Sequence, residues 1–82
     1  MAKLEKLINR LKSRPSDFTW DELVTLLKRL GFDELQGSGS RVKFFHKKMN
    51  YLIQLHKPHP SKILKQYMIR EILKLLINEK LI

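Results

Sequence analysis

The residues best able to do chemistry lie close together in the chain: His46, His56 and His59, with Arg41, Lys43 and Lys57 among them. An imidazole can take or give a proton near neutrality, and an arginine or lysine can stabilise charge building on phosphorus. Gly37, Gly39 and the string His56-Lys57-Pro58-His59-Pro60 frame the set. This is equipment for holding a polyanion, and for cutting it where a base and a cation meet. Other chemistries fit less well. His56 and His59 are spaced as two metal ligands, but third and fourth donors are missing nearby, so no metal is expected. Gly37-Ser38-Gly39 lacks the downstream lysine and hydroxyl pair of a nucleotide-phosphate loop. No serine stands beside a convincing base for acyl transfer, and no cofactor is implied.

The flanking sequence supplies the scaffold. Leu4, Leu7, Ile8 and Leu11 recur at i, i+3, i+4, i+7, predicting a first helix that ends at Ser13-Arg14-Pro15. Thr19-Trp20-Asp21-Glu22 has the form of a capping box, followed by the apolar face Trp20, Leu23, Val24, Leu26, Leu27 and Leu30. Gly31 is placed to stop that second helix. Phe32–Gln36 is a weak strand by its acidic content, while Arg41–His46 and Tyr51–His56 are stronger ones joined through Lys47-Lys48-Met49-Asn50. Ser61 is expected to cap the last helix, which would carry Ile63, Leu64, Tyr67, Met68, Ile69, Ile72, Leu73 and Leu76. Helix, helix, three strands, helix predicts an α+β sandwich with one sheet face left open.

Alternation sorts the strand residues between the two faces. With a turn centred on Lys48-Met49, Val42 pairs with Leu55, Phe44 with Ile53 and Arg41 with His56. Arg41, Lys43, Gln54 and His56 then gather on the exposed face, while His46 points inward beside Tyr51 in a structural role. A slip of one residue would undo this. Lys62, Gln66, Arg70 and Lys74 recur every four residues as a polar ridge, with Lys65 alongside. Such a ridge can track a phosphate backbone, or be simply a solvated helix face.

The chain has 82 residues, of which 43% are hydrophobic, so one domain spanning 1–82 is expected and disorder is not. Seventeen basic and eight acidic side chains give a net charge of +9, which favours phosphate backbones, acidic protein faces or anionic lipid. No cysteine is present, no apolar run approaches a membrane span, and the N-terminus lacks a signal-peptide core; a cytoplasmic location is expected.

The order of these pieces resembles the HicA-type mRNA interferase toxins. The resemblance is carried by Leu30-Gly31-Phe32, Gly37-Ser38-Gly39-Ser40, Lys57-Pro58-His59-Pro60 and Ile69-Arg70-Glu71-Ile72-Leu73-Lys74, covering roughly residues 19–78. Residues 1–13 are an added helix. The resemblance implies a fold like the double-stranded-RNA-binding domain, cleavage of mRNA, and neutralisation by a HicB-type antitoxin. It also exposes a departure. The family's catalytic histidine, at the start of the second strand, corresponds to Arg41 here, with Ser40 the nearest alternative. A relocated base would be His56 or His59, with Arg41 and Lys43 stabilising the phosphate. Ser38, Ser40, Lys57, Lys62, Lys65, Arg70 and Lys74 would hold the RNA. The competing expectation is a module that grips RNA, or docks the antitoxin, without cutting.

Overall fold

The computed structural model describes residues 2–36, 39, 41–58 and 61–82, with only the backbone at Ala2, Lys3 and Gln36. Its elements are α1 (Ala2–Lys12), α2 (Trp20–Arg29), β1 (Phe32–Gln36), β2 (Arg41–His46), β3 (Tyr51–His56) and α3 (Gln66–Asn78). The fold is α+β, consistent with the double-stranded-RNA-binding type, with α1 added at the N-terminus. No helix among the described residues is long and apolar enough to cross a membrane.

α1 follows the expected stripe. Leu11 is fully buried, and Leu4, Leu7 and Ile8 pack against the core. Arg14 takes a left-handed conformation (φ 49°) just before Pro15, which ends the helix. Arg10 fastens α1 to the rest of the chain: its Nε donates to Glu22 at 2.6 Å and its Nη2 to the Asp17 carboxylate at 3.0 Å. The guanidinium also lies 5.7 Å from the centre of the Phe18 ring. α2 begins with the capping box. Glu22 N–H donates to Thr19 Oγ1 at 3.2 Å, and the Glu22 carboxylate accepts from Thr19 N–H at 3.0 Å.

The sheet has the order β1-β2-β3, antiparallel throughout. The β2–β3 register is the one the alternation predicts: Arg41 opposite His56, Val42 opposite Leu55, Phe44 opposite Ile53. Val42, Phe44, His46 and Ile53 are buried on one face, where the ring of Trp20 from α2 lies 6.0 Å from that of Phe44. Met68, Ile69, Ile72, Leu73 and Leu76 of α3 complete this core. The opposite face has no helix on it, and its residues stay partly or fully exposed.

The last helix starts later than expected. Ser61 is not its N-cap; Lys65 is, and Ile63 and Leu64 lie outside the helix. The reason is a competing set of backbone bonds. Trp20 N–H donates to Lys62 C=O at 2.7 Å, and Leu64 N–H donates to Phe18 C=O at 2.8 Å. An isolated antiparallel bridge pairs Thr19 with Ile63. The segment is therefore extended, and its side chains alternate accordingly: Ile63 is 45% exposed and Leu64 is buried. The Ser61 hydroxyl accepts locally from Ile63 N–H at 3.2 Å instead.

Candidate nucleic-acid interface

The open sheet face is built by alternation from three strands. Arg41 and His56 are direct cross-strand partners and both are exposed. Lys43 opposes Gln54 in the next outward row, and that row extends to Leu35 of β1. Cross-strand side chains at such positions start within about 5.5 Å of each other, so one substrate group can meet both. The cations do not have this face to themselves. Leu35 is 45% and Leu52 50% exposed, and half-buried Phe45 lies between Asp33 and Leu52. Alternation along β2 and β3 turns Phe45 and Leu52 outward, whereas Leu35 joins them through the β1 register, which the acidic strand signalled only weakly.

At the end of β3 the chain turns past a cavity of about 250 Å³. His56, Lys57, Ile63, Lys65 and Tyr67 are among its walls. Ser61, Ile63 and Lys65 of the extended segment before α3 line it. Lys65 has no side-chain capping bond, and the first turn of α3 has no acidic residue. Further along α3, Tyr67, Arg70 and Lys74 fall at i, i+3, i+7 and share one exposed face. Lys74 lies by Tyr51 at the start of β3, in a smaller recess that also holds Glu71 and Glu79. Tyr51 therefore lines the α3 side.

Two members of the expected ridge leave it. Lys62 precedes the helix and its Nζ lies 3.9 Å from Asp21 at the start of α2. The Gln66 side-chain amide donates to Pro15 C=O at 3.0 Å. Arg70 and Lys74 remain. His46 is buried in a structural setting, and Ser38, Ser40 and His59 lie outside the described residues. Among the described residues no three His, Asp or Glu side chains are grouped to hold a metal ion.

A few cations are paired within the molecule. The described ion pairs join Arg10 to Asp17 and Glu22, Lys28 to Glu34, and Lys62 to Asp21. All of these involve α1, α2, β1 or the segment bridged to α2. Among the described residues, Arg41, Lys43, Lys57, Lys65, Arg70 and Lys74 make no ion pair, and neither do Lys6, Lys12, Arg14 and Arg29 around α1 and α2, or Lys47, Lys48 and Lys80. A cationic surface without internal carboxylate partners is free to meet phosphate.

A small α+β domain with one bare, cation-bearing sheet face is thus the class defined by fold and site. The family model described as HicA toxin of bacterial toxin-antitoxin matches residues 20–76, and the chain belongs to that family. None of the curated proteins and none of the solved structures gave a significant match. The matched span contains Arg41, Lys43, His56, Lys57, Lys65, Arg70 and Lys74, while α1 lies outside it. As the toxin of such a pair, the chain has an antitoxin counterpart.

Proposed function

We propose that this toxin-family chain binds RNA on its open sheet face and cleaves it without a metal ion. The observation that carries the reading is the Arg41–His56 cross-strand pair, exposed and flanked by Lys43. In the reaction, His56 or His59 accepts the proton of a ribose 2′-hydroxyl as its oxygen bonds to phosphorus. Arg41 and Lys43 stabilise the five-coordinate phosphate, and the bond to the 5′-oxygen breaks. The products are a 2′,3′-cyclic phosphate and a 5′-hydroxyl, the leaving oxygen taking a proton from an imidazolium or water. Lys57 at the end of β3, and Lys65, Arg70 and Lys74 on the α3 side, hold the strand by its phosphates where it runs off the face, and Lys62, Ser38 and Ser40 are further contacts. Purified chain incubated with an mRNA transcript should yield cyclic-phosphate ends, with EDTA making no difference. His56→Ala combined with His59→Ala should stop the cutting. Cleavage that EDTA abolishes, or that survives the double substitution, overturns this mechanism.

A second reading rests on the apolar strip of Leu35, Phe45 and Leu52 on the same face. Exposed leucines suit a protein partner better than phosphate. On this reading the face docks a HicB-type antitoxin, and the chain has lost catalysis along with the family's histidine. A chain that neither cuts nor binds RNA, yet holds its antitoxin, would favour it.

A further inference from the structure

The cavity at the end of β3 differs in its chemistry from three others on the molecule. Three other cavities each include carboxylates: Glu22 in the groove between α1 and α2, Glu71 and Glu79 beside Tyr51, Asp33 and Glu34 beside Phe32. The cavity lined by Lys57 and Lys65 has none among its described walls, and His56 is a third wall residue able to carry positive charge. On its α3 side stands Tyr67, 52% exposed although it is a large aromatic on a helix whose other face is core. Ile63, 45% exposed, adds a second apolar wall. A volume of about 250 Å³ is small for an extended ligand but has room for one planar base.

We propose that this cavity is a single-nucleotide subsite, in which Tyr67 stacks one base and Lys57 and Lys65 hold the adjoining phosphates. The proposal rests on the RNA-binding reading and adds to it a base-contacting residue away from the sheet face. His56 belongs to both places, as cross-strand partner of Arg41 and as cavity wall. The subsite therefore fixes which nucleotide lies next to the phosphate presented to Arg41. Stacking on an aromatic is tolerant of base identity, so the subsite sets register along the strand more than sequence preference.

The test uses the full chain and a labelled, uncleavable 2′-O-methyl octauridylate, with an abasic strand of equal length as control. Tyr67→Ala should weaken octauridylate binding by about tenfold, the range for losing one stacked base. Tyr67→Phe should stay within about twofold of the parent, because the ring remains. The abasic strand should bind Tyr67→Ala and the parent equally. Lys57→Gln and Lys65→Gln should each lower the slope of log affinity against log salt by about 0.7, while Tyr67→Ala leaves it unchanged. In the unaltered protein, the Tyr67 ring resonances should shift upfield on adding the oligonucleotide. If the parent binds octauridylate but Tyr67→Ala binds it equally well, or its ring resonances stay put, the subsite is wrong and RNA binding stands. Equal weakening on the abasic strand also overturns the subsite. If the parent binds neither strand, both readings fall.

Discussion

His46 shows how one imidazole of three is committed to structure. Its Nδ1 accepts from Met49 N–H at 3.2 Å, so the ring proton sits on Nε2, which donates to Leu30 C=O at 3.1 Å. The ring meets Phe32 edge-on at 5.0 Å between centroids. It thereby ties the β2–β3 turn to the end of α2. Gly31 is the residue that lets it do so. Its φ is +105°, and a Cβ there would come within 2.8 Å of His46 Nε2. Gly31→Ala should therefore destabilise the fold by roughly 1–3 kcal/mol, from backbone strain and the clash together. Urea unfolding would measure this, and an unchanged midpoint would contradict it. Alternation along β2 was enough to turn His46 inward. The identity of its partners was not legible, because Leu30 and Met49 are brought to the ring only by tertiary packing.

Among the elements, the start of α2 carries more than a cap. Arg10 from α1 joins the box through Glu22, and the hydrogen bond from that guanidinium holds the Glu22 carboxyl below its ordinary value of 4.5; burial opposes the shift and Thr19 adds to it. A carboxyl whose folded value is depressed contributes stability that is present above about 4.5 and lost as pH falls through the lower folded value. Acid should thus loosen both α1 and the first turn of α2. Glu22→Gln should be less stable than the parent at pH 7 by about 1 kcal/mol, and the gap should close on acidification below about pH 4. Thermal melts of both proteins at pH 7 and pH 3 would show it, and a gap that does not narrow would count against the pairing. The Thr19–Glu22 spacing announced this cap in the sequence, whereas Arg10 as its third member was silent, since nothing in residues 1–13 points to residue 22. The start of α3 misled for a related reason. Ser61 followed by apolar residues has the form of a helix start, but the outcome turned on Phe18 and Trp20, whose backbone groups claim residues 62 and 64.

Across the whole molecule, the excess of cations is less informative than the place of each one. Carboxylates neutralise Arg10, Lys28 and Lys62, and leave Arg41, Lys43, Lys57, Lys65, Arg70 and Lys74, among others, without ion pairs among the described residues. RNA affinity should accordingly respond to where a charge is removed and not only to how many. Lys43→Gln should weaken RNA binding and flatten its salt dependence by about 0.7 in slope. Lys28→Gln, which carries the same loss of net charge but releases Glu34, should do neither. Equal effects from the two would mean that the net charge of +9 acts as a diffuse cloud without a defined surface. The net charge and the hairpin register were both legible, the second because a half-buried hairpin tolerates only one alignment of its apolar residues. The carboxylate pairing was not, since each pair joins different elements.

The bridge between Thr19 and Ile63 has a further consequence. It makes the whole three-stranded excursion a closed circuit that departs from one spot and returns to it. The strand carrying His56 and the helix carrying Tyr67 cannot drift apart without straining the clasp where that circuit shuts. The spacing between them is thus gauged by main-chain bonds that bear no charge at all.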